Sequence, residues 1–304
     1  MLRISALKAS MLGLTSEKIK EKLHLYAQLI RFNRPIGTYL LLWPTLWGLW
    51  FAAEGFPSLK LLIIFSIGVF LMRSAGCAIN DYADRDFDKH VARTKDRPLT
   101  SGKISVKEVL AVFGILMLLA FILVLQLNLN TILFSMVAVV LAATYPFMKR
   151  YHHFPQVHLG AAFAWAIPMA FVATTNNAPP LEAWLLFIAS LLLTTAYDTQ
   201  YGMVDIEDDI EEGMKSTAIL FGKYDTFIIG ALQLLTLILI TIVGIMTHRG
   251  LPFYASILLA SALILHQQSL IKDREPAKCL EAFLNNNYFG MIIFIGLAID
   301  YWID

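Results

Sequence analysis

Charge is scarce in this chain. Only 15% of its 304 residues are Asp, Glu, Lys or Arg, where a soluble domain carries about 25%. That shortage excludes an ordinary soluble domain. Net charge is +1, so there is no electrostatic case for nucleic acid as a partner. Cysteine is nearly missing: Cys77 and Cys279 are the only two, which excludes a disulfide framework. Cys77 reads as a small apolar filler within a membrane span and Cys279 as a loop thiol. His152, His153 and His158 come close in sequence. They lack the cysteine or acid partners that a zinc site needs.

What fills the chain instead is apolar: 58% of residues. They come in repeated runs close to the roughly 20 residues that cross a bilayer. Nine spans are predicted, at 35–53, 61–79, 108–127, 131–147, 158–175, 181–199, 226–246, 252–269 and 286–302. Turns such as Glu54-Gly55-Phe56-Pro57 and Asn176-Asn177-Ala178-Pro179-Pro180 separate them. The expected fold is an all-α polytopic membrane protein. Residues 33–304 form its transmembrane domain, and residues 1–32 an N-terminal segment.

Lys and Arg set the expected orientation. Of the 24 basic residues, all but Lys60 and Arg249 fall in the N-terminal segment, in the loops after even-numbered spans, or just inside span 2 at Arg73. The bias predicts a cytoplasmic N-terminus and, with nine spans, an extracytoplasmic C-terminus at Asp304. Thr15 or Ser16 would cap a helix from Glu17 to Phe32. Its Leu23, Leu25, Ala27, Leu29 and Ile30 interleave with Lys18, Lys20, Lys22 and Arg31. That pattern predicts an amphipathic helix at the interface of an anionic leaflet. Glu17 and Glu21, with more Lys than Arg, argue against a mitochondrial targeting segment.

The remaining charge is concentrated. Asn80-Asp81-Tyr82-Ala83-Asp84-Arg85-Asp86-Phe87-Asp88 ends one apolar run, and Asp198 through Asp209 ends another. Residues three and four apart share a helix face, so Asn80, Asp84 and Asp88 form one row, with Asp81 beside it. Asp198, Asp205 and Asp209 form a second row, with Tyr201 between its first two members. Crowded carboxylates at a membrane edge repel one another, and a bound cation compensates them. Hard oxygen ligands suit Mg2+, which prefers a few carboxylates plus substrate phosphates. Arg93, Lys95 and Arg97 follow the first cluster and suit phosphate oxygens. A metal-bridged diphosphate with an apolar tail lying among the spans fits this arrangement.

Asn80-Asp81-x-x-Asp84-x-x-x-Asp88 with Arg97-Pro98-Leu99, and Asp198-x-x-Tyr201-x-x-x-Asp205-x-x-x-Asp209, resemble the intramembrane aromatic prenyltransferases of the UbiA superfamily. Arg34-Pro35-Ile36-Gly37 and Leu40-Leu41-Leu42-Trp43-Pro44-Thr45-Leu46-Trp47 narrow the resemblance to the 4-hydroxybenzoate polyprenyltransferases of ubiquinone synthesis. So do Tyr145-Pro146-Phe147-Met148-Lys149-Arg150 and Gly213-Met214-Lys215-Ser216-Thr217-Ala218. The resemblance covers about residues 24 to 302.

It implies nine transmembrane helices around a central cavity with a cytoplasmic active site, in a bacterial inner membrane. It also implies transfer of a polyprenyl group from polyprenyl diphosphate to the carbon ortho to the phenol of 4-hydroxybenzoate. On that reading Asp84, Asp198, Tyr201 and Asp205 are catalytic. The Mg2+ set is Asn80, Asp84, Asp88, Asp198, Asp205 and Asp209, with Asp81 in support. Arg93, Arg97 and Lys149 hold diphosphate. Arg73, Arg150 and Arg34 are the candidates for the aromatic carboxylate, and Asp198 for assisting loss of the phenol proton. Trp43, Tyr145, Phe163 and Trp165 are candidates for the dry wall around an allylic cation. The expected partners are the two substrates and the lipid bilayer, with no obligate protein partner. The rival readings are a transferase for another quinone precursor and a cation-coupled transporter, for which acids within spans are also typical.

Overall fold

The structure is a computed structural model that describes residues 17–89 and 94–303. Thr15, Ser16, Arg93 and Asp304 therefore lie outside the described residues. Helix α1 covers 17–29. Then come α2 (Ile36–Ala53), α3 (Leu59–Asp84), α4 (Val106–Val124), α5 (Leu129–Thr144), α6 (Pro155–Ala164), α7 (Ala166–Thr175) and α8 (Leu181–Gly202). The chain closes with α9 (Ile206–Glu211), α10 (Thr217–Phe221), α11 (Asp225–Met246), α12 (Leu251–Ile271) and α13 (Pro276–Ile303). Among the described residues, nine helical segments are long and apolar enough to cross a membrane. Each matches one predicted span.

Local chemistry explains where the helices start and break. Ser58 and Asn128 accept hydrogen bonds from Leu61 N and Thr131 N and so cap α3 and α5. Ser105 and Glu108 form a capping box at α4. Pro146 has no N–H for the carbonyl of residue 142, and the chain passes there from α5 into a 3-10 turn, Tyr145–Arg150. Pro168 likewise cannot bond to residue 164, and the fifth span is divided at Trp165 into α6 and α7.

Helices α2, α7, α8, α11, α12 and α13 share one apolar core around Trp47, Phe253 and Phe289. Trp47 donates to the Gly290 carbonyl at 3.1 Å, locking α2 to α13. A Cβ on Gly290 would lie 2.9 Å from that of Trp43, so the close approach requires glycine there. By contrast α4 buries only Val109, Leu116 and Ala120, and α5 only Thr131 and Ser135. Their exposed Ile115, Leu118, Ile122, Leu133 and Val140 are surfaces for lipid tails.

The N-terminal helix is more than a surface amphipath. Leu25 and Leu29 are buried against Ala78, Leu99, Ile104 and Val109. Lys22 and Tyr26 both bond to Glu108, at 2.6 and 2.9 Å. The hydrogen bond from Lys22 to Glu108 holds the ammonium above its usual range.

Three sequence expectations need correction. The second acidic row does not continue as one helix, because α8 stops at Gly202 and Asp205 precedes α9. The last span begins at Pro276, ten residues before the predicted 286. Its first turn carries Lys278, which pairs with exposed Glu275 at 3.0 Å, and Asn285, Asn286 and Asn287 further along find partners inside the bundle. Cys279 is accordingly a fully buried helix residue, not a loop thiol.

At the end opposite the acidic clusters, the two isolated cations are tied down. Lys60 donates to the Gln126 carbonyl at 2.7 Å. Arg249 pairs with buried Asp300 at 3.2 Å and lies 3.7 Å over the Tyr301 ring.

Candidate active site

One cavity of about 1140 Å³ joins both acidic clusters to the apolar interior. Its inner wall comes from Phe65, Val69 and Met72 of α3, Met117 and Phe121 of α4, and Val139 of α5. Phe163 and Tyr145 join that wall as expected, but Trp43 and Trp165 do not. Trp43 donates instead to Asn287 at 2.8 Å and Trp165 to the Phe134 carbonyl at 2.9 Å, because both indoles need acceptors inside the bundle.

The first cluster sits on the last turn of α3 and the turn beyond it. Phe87 N and Asp88 N both bond to Asp84 O at 2.9 Å, so the row continues past the helix end. Asp81, Asp84 and Asp88 are all buried. Burial of three carboxylates requires partners, and each has one. Lys149 reaches Asp84 at 2.6 Å. Arg97 bridges Asp88 at 2.7 Å and Asp81 at 3.1 Å. Arg31 meets Asp81 at 2.7 Å. Asn80 Nδ2 donates to Asp84 Oδ2 at 3.0 Å. The other Asp84 oxygen, Oδ1, is buried with no hydrogen-bond partner among the described residues.

The second cluster faces the same cavity. Asp198 and Tyr201 come from α8, and Asp205, Asp208 and Asp209 from the segment after it. The ring of Phe283 stands 5.9 Å from Tyr197 and 4.9 Å from Tyr201. Among the described residues, no three His, Cys, Asp or Glu side chains converge to cage a metal by themselves.

Arg73 lies deeper. It is seven residues before Asn80, on the same face of α3 and roughly 10 Å further in. It lines the cavity, bonds to Cys77, and is an electrostatic neighbour of Tyr145, Tyr197 and Tyr201. Gly37 makes this possible, since a Cβ at that position would collide with the guanidinium.

Of the predicted site residues, the structure therefore brings together Asn80, Asp84, Asp88, Asp198, Tyr201, Asp205, Asp209, Arg97, Lys149, Arg73 and Arg34. Arg34 is exposed at the rim. Arg150 is set apart: it is exposed, bonds to the Ala83 carbonyl and stands over the Phe87 ring. Two cavity cations escaped the sequence reading. Arg31 falls at the end of the predicted interfacial helix, and nothing in its spacing marks it as inward. Lys215 lies in a quoted motif without an assigned role; it ties its loop to the 3-10 turn through Lys149 O at 3.0 Å and Tyr151 O at 3.1 Å.

A membrane-embedded bundle whose apolar cavity ends in carboxylates, arginine and lysine has the architecture of an intramembrane enzyme acting on amphipathic substrates. Residues 41–294 match the UbiA prenyltransferase family, and the chain belongs to that family. It is 57% identical over 282 residues to the 4-hydroxybenzoate octaprenyltransferase of Aeromonas hydrophila, covering 93% of this chain and 98% of that one. It is 55% identical over 287 residues to the enzyme so named from Alkalilimnicola ehrlichii, covering 94% and 98%. Among solved structures, it is similar to a UbiA homologue from Aeropyrum pernix, with a TM-score of 0.77, 27% identity and coverage of 86% and 97%. It shares the fold of an Archaeoglobus fulgidus homologue bound to GPP and Mg2+, with a TM-score of 0.68, 20% identity and coverage of 90% and 99%.

Proposed function

We propose that the protein transfers a long-chain polyprenyl group from polyprenyl diphosphate to 4-hydroxybenzoate, at the ring carbon ortho to the hydroxyl, releasing diphosphate. This is a step of ubiquinone biosynthesis. The observation that carries the reading is the single cavity of about 1140 Å³, apolar along its body, acidic and basic at its mouth, with Arg73 inside. The relatives at 55–57% identity bear the name of this reaction.

Asn80, Asp84, Asp88, Asp198, Asp205 and Asp209 would hold Mg2+. Asp84 Oδ1, without a hydrogen-bond partner among the described residues, and the all-oxygen donor set fit a hard cation. The lack of a complete side-chain cage among the described residues also fits, because Mg2+ takes substrate phosphate oxygens as ligands. When bound, the ion supplies positive charge where the departing diphosphate becomes more negative.

The protein's own residues do the rest. Lys149, Arg97 and Arg93 grip phosphate oxygens, and Tyr201 orients the bridging oxygen. The inner walls of α3, α4 and α5 hold the isoprenoid tail and keep water from the allylic cation formed as the C–O bond breaks. Arg73 takes the carboxylate of 4-hydroxybenzoate and so turns the phenol ring toward the cation. Asp198 assists loss of the phenol proton and so makes the ring a stronger nucleophile. Electrophilic attack forms the new C–C bond, and the proton displaced from that ring carbon leaves with the diphosphate. Asp84, Asp198, Tyr201 and Asp205 are the catalytic set. Arg34 guards the rim, and Arg150 holds the end of α3. The mouth faces the cytoplasm of a bacterial inner membrane, following the Lys and Arg bias.

The test is product mass. Membranes containing the protein are incubated with 4-hydroxybenzoate, Mg2+ and prenyl diphosphates of several lengths. A prenylated hydroxybenzoate with equimolar diphosphate is expected. Prenylation of a different acceptor only, or substrate movement without diphosphate release, would reject the assignment.

A further inference from the structure

Three consecutive asparagines, Asn285, Asn286 and Asn287, stand in the membrane-spanning helix α13. Successive residues on a helix point about 100° apart, so the three amides reach three different helices. Asn287 Oδ1 accepts from Trp43 Nε1 of α2 at 2.8 Å. Asn285 Oδ1 accepts from Gln267 Nε2 of α12 at 2.9 Å. Asn286 Nδ2 donates to Gln200 Oε1 of α8 at 2.9 Å. Gln267 Oε1 accepts in turn from Gln233 Nε2 of α11 at 2.6 Å and from Gln200 Nε2 at 3.4 Å. Gln200, Gln233 and Gln267 have no exposed surface.

Gln200, Gln233, Gln267, Asn285 and Asn286 thus join four helices, and none of the five lines the cavity. Their relation to the site runs through α8. Asp198 and Tyr201 face the cavity. Gln200 lies about 200° around the helix from Asp198, on the opposite side. An apolar back face packs acceptably in several rotational settings. A buried amide is satisfied in one and is penalised in the others. Fixing register is the best-attested use of a buried polar group.

We propose that Gln200 is a positioning residue: its amide, held by Asn286 and Gln267, sets the rotation of the end of α8 and so aims Asp198 and Tyr201 into the cavity. This rests on the reading that Asp198 belongs to the metal and diphosphate site. The cluster works as one unit, since each amide is the other's partner.

The experiment uses the full chain in membranes with Gln200→Met, Asn286→Leu and the double variant. One readout is rotation itself. With Cys77 and Cys279 replaced by Ala, Tyr201→Cys and Thr199→Cys are labelled with a water-soluble maleimide. In the unaltered cluster, position 201 reacts and buried position 199 does not. Gln200→Met is expected to slow labelling at 201 and speed it at 199. Unchanged rates, or a rise at both positions from general loosening, overturn the proposal.

The second readout is kinetic and uses the native cysteines and Tyr201. The Mg2+ concentration for half-maximal activity is expected to rise roughly 10-fold. The KM for 4-hydroxybenzoate is expected to hold, because Arg73 is on α3. A rise in that KM with unchanged Mg2+ demand overturns the proposal. The double variant should match the larger single effect, and multiplied effects would show independent sites. Should Gln200→Met fail to accumulate in membranes, Asn286→Leu, which spares the bond from Gln200 to Gln267, replaces it in both readouts. Asp198→Ala separates the two claims. Full Mg2+-dependent activity in that variant removes the site assignment, while the labelling ratio still reports on Gln200.

Discussion

Arg31 and Asp81 are 50 residues apart in the chain and meet at 2.7 Å, side chain to side chain. Arg31 reaches that position from a left-handed backbone, with φ of 58°, a conformation that costs a non-glycine residue roughly 1–2 kcal/mol. The ion pair offsets this cost and brings the segment after α1 onto the mouth of the cavity.

Arg31→Ala should therefore lower stability by about 1.5–3 kcal/mol, the worth of a hydrogen bond to a charged group. Asp81 keeps Arg97 at 3.1 Å, so the buried acid is not abandoned. Arg31→Gly should lose less than Arg31→Ala, by roughly 1 kcal/mol, because glycine accepts the left-handed backbone. Thermal unfolding in detergent gives both values. Equal losses, or a larger loss for glycine, would contradict the backbone argument.

Metal dependence is expected from the carboxylates lining the mouth. EDTA should abolish turnover and added Mg2+ restore it. Asp84→Ala and Asp198→Ala should each lower kcat by orders of magnitude, because charge on the leaving diphosphate loses its compensation. Full activity in a chelated sample would remove the metal from the account.

Arg73 and Gly37 give a paired test of the acceptor site. Arg73→Ala should reduce kcat/KM for 4-hydroxybenzoate about 10- to 150-fold, corresponding to roughly 1.5–3 kcal/mol for a charge-assisted hydrogen bond. An acceptor lacking the carboxylate should be nearly indifferent to the change. Gly37→Ala should mimic the selective loss, because its Cβ displaces the Arg73 guanidinium. If Arg73→Ala preserves discrimination between the two acceptors, Arg73 serves the fold or the diphosphate instead.

Orientation is open to direct test. A reporter fused after Asp304 should read extracytoplasmic, and one inserted at Lys95 cytoplasmic. The opposite pattern would overturn the charge-bias argument.

Hydropathy made the existence of the nine spans readable, but not their ends. Helix α3 continues to Asp84, beyond the predicted 79. Its last acids are neutralised by Arg31, Arg97 and Lys149, which are remote in sequence. In α13 hydropathy stops at Asn286, while the fold gives Asn285 and Asn286 amide partners and the helix runs on outward to Pro276. The second acidic row assumed a helix that ends at Gly202. Lys149 and Arg150 show a finer limit. They are adjacent in a 3-10 turn, where neighbours point about 120° apart. One faces the cavity and the other does not, and only the turn's placement decides which.

The pairing of Arg249 with Asp300 bears on how the chain is made. Arg249 follows α11, and its acid partner lies near the end of α13. On the orientation that the Lys and Arg bias predicts, the cation is to cross the bilayer before its counter-charge has been translated. Until α13 arrives, the loop between α11 and α12 lacks this acid partner. Closure of this pair waits for α13, so a product truncated before Asp300 would lack a contact that ties the loop after α11 to the folded bundle.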